Sequence, residues 1–312
     1  MNAIVNDIPQ QTTNGQKVIH PIIIYPFSHP EDTSDLKQLY EFISTDIIGK
    51  PEYCRPITVL NRQTYYRNYK KLPFNDFLDK YVRKFSEIID TWSVDTCQMW
   101  LSGFGYAFDR HSSVNDVYWL IPGDFNYGKK PDVMRKLPEI ARKVYNTPTQ
   151  VCLGEITVAP NSSKQLIDTY GTYGLLYNWF PDKATVIRNI TDKPRSEFFA
   201  IEHQYLYHLL CQRWYAYEQT LIILLEGISG GQPIINFDKI KLGDISDLSQ
   251  GRENLAAAMQ QVERTERVLK QYWREKNEKI SRIWSSRFRE LDNQSERIRA
   301  AALVILENLL TY

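Results

Sequence analysis

Two spacings of apolar residues alternate along the chain. Short continuous runs closed by turn residues predict strands buried on both faces. They are Val18 to Phe27, Ile57 to Leu60, Val117 to Ile121, Gln150 to Val158 and Ala184 to Ile190. Between them, apolar residues recur every three or four positions, which predicts amphipathic helices. Ser34 to Ile48 presents Leu36, Leu39, Tyr40, Ile43 and Ile47 on one face, and Asn75 to Trp92 presents Phe77, Leu78, Tyr81, Val82, Phe85, Ile88 and Ile89. Further helices are expected over Asp132 to Tyr145, from Ser162 or Ser163 to Trp179, and from Ser196 to Glu226 as one long aromatic-rich helix. Pro21 lacks an N–H and counts against the first strand. The pattern leaves Gln98 to Tyr106 and Ile234 to Ile245 unassigned, and Asp109 to Asn115 reads as loop.

Strands and helices in this rhythm argue for an α/β fold with a mostly parallel sheet and flanking helices. Residues 1–16 form a polar tail expected to be disordered, residues 17–240 the α/β domain, and residues 241–312 a C-terminal helical extension. In that extension Leu255, Met259, Val262, Leu269, Trp273, Ile280 and Ile283 follow steps near four and three, a heptad spacing with Glu266 and Lys276 as polar interruptions. A last helix beginning near Ser295 carries Ile298, Ala302, Ile305, Leu306 and Leu309. This apolar stripe must cover something: the α/β body, its own final helix in a hairpin, or a second copy in a homo-oligomer.

Composition narrows the class. Hydrophobic residues make up 43% and charged residues 24% of 312, with a net charge of +1, so nothing draws the chain electrostatically to nucleic acid or anionic membrane. The four cysteines, Cys54, Cys97, Cys152 and Cys211, are far apart, without metal-ligand spacing, and are expected to be reduced thiols. No signal pattern and no apolar run of bilayer length is visible, so a cytoplasmic chain without a transmembrane segment is expected. No phosphate-binding glycine loop, nucleophile elbow or His-Glu-x-x-His pattern occurs.

The best candidate for chemistry follows the run Val117-Tyr118-Trp119-Leu120-Ile121-Pro122-Gly123. A parallel strand ends there, and ligands of open α/β sheets lie beyond the carboxyl ends of the strands. Asp124 is then either a cleft carboxylate able to hold a divalent ion or a cap for the following turn. Arg62 to Lys71, rich in Tyr, Arg and Lys, either grips phosphates or forms a solvated loop. Glu155 either meets an acceptor hydroxyl as a base or faces solvent on its strand. Arg195-Ser196-Glu197 is read as a helix start able to meet an anion, with Glu197 opposing that role.

The strand ending Ile24-Tyr25-Pro26-Phe27, the one ending Leu60-Asn61-Arg62, and Gly123-Asp124-Phe125-Asn126 together resemble GT-A-type nucleotide-sugar glycosyltransferases. The resemblance spans roughly Val18 to Glu226 and rests on element order. It implies a sugar moved from a nucleoside diphosphate donor to an acceptor hydroxyl. Tyr25 and Phe27 would line the base pocket, Arg62 would approach the phosphates, and Asp124 with Asn126 would hold Mg²⁺ or Mn²⁺. Asn126 stands where the family has a second Asp. Glu155 or Glu202 would contact the acceptor; Glu202-His203-Gln204 is similar to the family's acidic base, and Gln212-Arg213-Trp214 to its Gln-x-x-Arg-Trp patch without the spacer. The alternative is a non-catalytic interaction protein, a degenerate transferase-like body with the heptad region binding a partner or a second chain.

Overall fold

The computed structural model describes residues 17–25, 33–61, 76–91, 96–111, 113–210, 219–247, 255–277 and 285–310. Phe27, Arg62, the basic stretch after it, Gln212 to Trp214 and the polar tail lie outside these residues.

Seven strands form one sheet: β1 (Ile19–Tyr25), β2 (Ile57–Asn61), β3 (Glu87–Thr91), β4 (Val117–Pro122), β5 (Val151–Thr157), β6 (Phe199–Glu202) and a late strand Phe237–Asp244, which we call β7. Their order across the sheet is β3-β2-β1-β4-β6-β5-β7. Every pairing is parallel except those of β6, which runs antiparallel to both β4 and β5. The α/β class with a mostly parallel sheet therefore stands. Pro21 is tolerated because of its side of the strand. Ile19 gives its N–H and C=O toward the β2 side, to Glu52 O and Cys54 N. Pro21, two residues on, faces that side too, just before the β1–β2 register begins at Ile22 and Ile57.

Helices cover both faces. Ile19, Ile23, Tyr25, Trp119 and Ile121 pack under α1 (Thr33–Asp46) and, with Leu137, Ile140 and Val144, under the helix Pro131–Asn146. Ile22, Ile24, Val59, Tyr118 and Leu120 share the other layer with residues of α2 (Thr96–His111). Gly103 lets α2 lie flat on the sheet, since a Cβ there would meet Ile22 Cγ2 at 2.6 Å and Val59 Cγ2 at 2.9 Å. The Gln98 to Tyr106 stretch is thus helical, and the helix runs on to His111 instead of becoming loop at Asp109. We number the Pro131–Asn146 helix α3, and as α4 the continuous run Ser163–Leu166, π-helical Ile167–Thr172 and Tyr173–Trp179.

Four expectations need correction. The Asn75 to Trp92 pattern is not one helix: π-helical Leu78–Val82 and α-helical Arg83–Phe85 stop at Ser86, whose backbone is extended, and Ile88 and Ile89 then pair with Thr58 and Val59. Ala184 to Ile190 is not a strand but part of helix α5 (Pro181–Ile190), where Pro181 opens the first turn and Ala184 and Ile187 are buried three apart. Ser196 to Glu226 is not one helix either: β6 comes first, followed by α6 (His203–Leu210) and α7 (Gln219–Glu226). Finally, β7 belongs to the sheet through its pairing with β5, so the helical extension begins after it and not at residue 241.

The extension consists of α8 (Leu255–Lys276) and α9 (Ser285–Leu310). They pack on each other and on α4, and Val262, Leu269, Trp273, Leu291, Ala302 and Leu306 join the same core as the sheet. Trp273 sits against Trp179 and Phe288 at ring-centroid distances of 5.9 and 5.6 Å. Val262, Leu269 and Trp273 of the heptad stripe are thus covered by the chain's own body, while Ile280 and Ile283 lie outside the described residues. No helix among the described residues is long and apolar enough to cross a membrane.

Candidate functional site

The parallel half of the sheet reverses its order between β1 and β4, and the carboxyl ends of those strands flank the place where such folds take ligands. At the end of β4, Gly123 donates its N–H to Ile24 O at 2.7 Å, and a Cβ at Gly123 would stand 2.4 Å from that oxygen. Only glycine lets the chain leave β4 this close to β1. The loop is then pinned from within: Tyr127, fully buried, donates its hydroxyl to Pro122 O at 2.6 Å. Phe125 lies against Tyr127 and Phe198, at 5.0 and 5.5 Å between ring centroids.

Asp124 emerges from this braced turn into a hollow of about 340 Å³. The ends of β4 and β5 supply Asp124, Phe125, Gly154, Ile156 and Val158; α4 supplies Lys164 and Asp168; the segment before β6 supplies Lys193, Arg195, Ser196, Glu197 and Phe198. Gln261 of α8 and Ile245 after β7 complete the wall. The hollow thus has an apolar floor and a charged rim. At the β5 end Gly154 lets Ile140, Leu242 and Phe198 pack directly on the strand, since a Cβ there would collide with each at 2.7 Å. The segment before β6 is fixed by Ser196, whose hydroxyl donates to Gly154 O at 2.6 Å and accepts the Phe198 N–H at 3.2 Å.

The charges are partly paired. Lys193 bridges to Asp168 at 3.3 Å, and Arg195 donates to Gln261 Oε1 at 3.0 Å. Lys164 is exposed and forms no ion pair among the described residues. Asp124 meets solvent at the mouth, but protein crowds its carboxyl on the other sides. That desolvation raises its pKa above the ordinary carboxylate range, opposed by its own backbone N–H and by Lys164. Burial likewise pushes the Tyr127 phenol well up, and the charges of Asp124 and Glu197 add to the rise. Both carboxylates therefore lie near one phenol.

The other expected site residues are placed elsewhere. Glu155 points away from the hollow, because successive strand residues alternate faces and Gly154 and Ile156 take the inner one. Its carboxylate accepts Thr191 Oγ1 at 2.7 Å and the Asp192 N–H at 3.2 Å, and pairs with Lys239 at 3.4 Å. Glu202 lies at the opposite edge: β6 is antiparallel, Glu202 sits across from Val117, and seven residues of rise put it roughly 20 Å from Asp124. There it accepts Gln150 Nε2 at 3.1 Å. Tyr25 is 1% exposed and belongs to the core under α1. Asn126 is not part of the hollow, and its side-chain oxygen accepts the Lys129 N–H at 3.2 Å, closing a turn.

These placements bear on the expected metal ion. A divalent ion needs several converging oxygen donors. Here Asp124 and Glu197 each bring a carboxylate, Asn126 holds the turn, and Asp168 is paired with Lys193. Among the described residues no three side chains of metal-ligating type come together. Two carboxylates, those of Asp124 and Glu197, line the hollow, and these rather than Asn126 are the described side chains that would hold a divalent ion together with a substrate's phosphates.

Lys164, Asp168, Lys193 and Glu197 were not among the residues singled out for catalysis. Arg195-Ser196-Glu197 is the signal the sequence offers; it reads as a helix start but leads into β6. No model of a known protein family and no curated protein matches the sequence.

Proposed function

We propose that the chain is a glycosyltransferase that moves a sugar from a nucleoside diphosphate to an acceptor hydroxyl. One observation carries the reading: Asp124 stands at the carboxyl edge of β4, beside the β1–β4 reversal and on the lip of a hollow of about 340 Å³. The nucleoside lies along the ends of β1 and β2, and the sugar enters the hollow. The apolar floor of Phe125, Ile156 and Phe198 suits the less polar face of a sugar ring, and the polar rim suits its hydroxyls. Asp124 hydrogen-bonds the donor sugar. In place of Glu155 and Glu202, Glu197 takes the acceptor proton as the acceptor oxygen bonds to the anomeric carbon; the bond to the diphosphate breaks, and the diphosphate leaves with the electron pair. The interaction-protein alternative rested on the missing second Asp and on the C-terminal heptad region; the described core residues of that region pack within the chain, which takes away part of its support.

The test is release of nucleoside diphosphate from a panel of nucleotide sugars offered with pooled acceptors, followed by chromatography. Release by the wild type and its loss in Asp124→Ala, with an unchanged fold by circular dichroism, is expected. A folded protein that releases diphosphate from no donor, with or without Mn²⁺, would sink the reading.

A further inference from the structure

Resting on that reading, we infer that the transferred sugar is a hexuronic acid whose carboxylate pairs with the side chain of Lys164. Asp124 and Lys164 both line the hollow, and neither forms an ion pair among the described residues. They stand on opposite walls: Asp124 follows β4, and Lys164 lies in the first turn of α4, after β5. Between those strands runs β6, with Leu120 and Leu153 both level with Phe199. Two strand spacings, about 10 Å, therefore separate the ends of β4 and β5. Lys164 is near enough for its charge to act on Asp124, yet the two do not close into an ion pair. Opposite charges held apart across one hollow leave room for a ligand between them. Asp168, four residues on, is the neighbour with which a helical lysine ordinarily pairs. Its carboxylate is bridged to Lys193 at 3.3 Å instead.

Strand order separates Lys164 from the diphosphate. Across the sheet the order runs β2-β1-β4-β6-β5, and the nucleoside lies at the ends of β1 and β2. The diphosphate then approaches Asp124 from the β1 side, and Lys164 faces the sugar from the β5 side. A hexuronic acid matches both walls. Its ring hydroxyls donate to Asp124, and its carboxylate, beyond the ring oxygen from the anomeric carbon, accepts a charge-assisted hydrogen bond from Lys164. The reverse arrangement is disfavoured, because protein already crowds the Asp124 carboxyl and a second anion beside it would add repulsion. The backbone under Lys164 is braced: Ser162 Oγ accepts the Gln165 N–H at 3.4 Å, and Gln165 Oε1 accepts the Asn161 N–H. No acid lies in that first turn, where the helix dipole adds to the positive potential of the lysine.

The experiment compares donors that differ only in whether the last sugar carbon is a hydroxymethyl or a carboxylate. The pairs are uridine diphosphate glucose and glucuronic acid, uridine diphosphate galactose and galacturonic acid, and guanosine diphosphate mannose and mannuronic acid. Diphosphate release by the full chain is followed in Mn²⁺, once with pooled neutral acceptors and once with pooled acidic ones. In at least one pair the hexuronate is expected to have a kcat/KM about tenfold or more above that of its hexose, the worth of one charge-assisted hydrogen bond. Lys164→Ala should bring the two donors of that pair within about twofold of each other. Lys164→Arg, which keeps the charge, should retain most of the preference, and melting curves check that each variant is folded. Preference for a neutral sugar, in these pairs or across the wider donor panel, overturns the inference and leaves the transfer reading standing. A hexuronate preference unmoved by Lys164→Ala overturns the assignment to this lysine. A Lys164→Ala loss confined to acidic acceptors puts the anion on the acceptor and overturns the inference about the donor. If no donor releases its diphosphate, the transfer reading fails and this inference with it.

Discussion

Replacing Gly123 by alanine tests how tightly the site is tied to the sheet. The new methyl would stand 2.4 Å from Ile24 O, against a normal carbon–oxygen contact of about 3.3 Å, so the turn must retreat by roughly 1 Å. The Gly123 N–H to Ile24 O bond, now 2.7 Å, would then lengthen beyond hydrogen-bonding range. Loss of that bond costs about 1 kcal/mol and overpacking against backbone about 1–3 kcal/mol, together about 2–4 kcal/mol. Urea unfolding of the two proteins, with equal slopes, reads the difference directly. Gly105→Ala is the control: a Cβ there meets nothing within 4 Å, and alanine within a helix should stabilise by up to about 1 kcal/mol. A Gly123→Ala loss below about 1 kcal/mol would refute the claim that β1 fixes the position of Asp124. The same retreat carries Asp124 with it, so transfer should fall about a hundredfold, beyond what unfolding explains.

Further outcomes follow from the same geometry. Asp124→Asn should melt higher than wild type near neutral pH: a folded-state pKa raised by desolvation means the ionised carboxyl opposes folding. That advantage should vanish as pH falls below the ordinary carboxylate pKa and grow as pH rises through the raised one; a variant that melts lower at pH 8 would show net favourable contacts instead. Glu197→Gln should cut transfer by about 10²-fold or more, whereas Glu155→Gln, tied to Thr191 and Lys239, should leave turnover within a few fold and lower the melting temperature. Equal loss in both variants would contradict the assignment of the acceptor base. Trp273→Ala should destabilise by about 3–5 kcal/mol, because Trp273 packs against Trp179 and Phe288 in the core. Sedimentation should show no change of mass in that variant; a change would mean that the helix also serves a second chain.

The sequence by itself determined which segments are buried and where the sheet's parallel half lies. Ile22-Ile23-Ile24 and Val117 to Ile121 are apolar on both faces, and only strands covered by helices on both sides tolerate that. It also marked Asp124, since Pro-Gly after such a run ends a strand at the carboxyl edge of the sheet. The segments it misassigned are short apolar ones. Phe199-Ala200-Ile201 reads equally as a turn of helix, and becomes β6 only because it slots between β4 and β5. Ala184 to Ile190 is rich in β-branched residues, but Pro181 starts a helix and burial of Ala184 and Ile187 holds it. Local spacing is the same in either state, and the tertiary neighbours choose.

The composition of the hollow was decided by tertiary structure alone. Lys164, Lys193, Arg195 and Glu197 come from two stretches some thirty residues apart and meet at Asp124 because β6 enters the sheet antiparallel, starting at the edge where β4 and β5 finish. The same reversal sends Glu202 to the far edge. One strand's direction, which no residue pattern encodes, separates the carboxylates at the site from those that only resemble it.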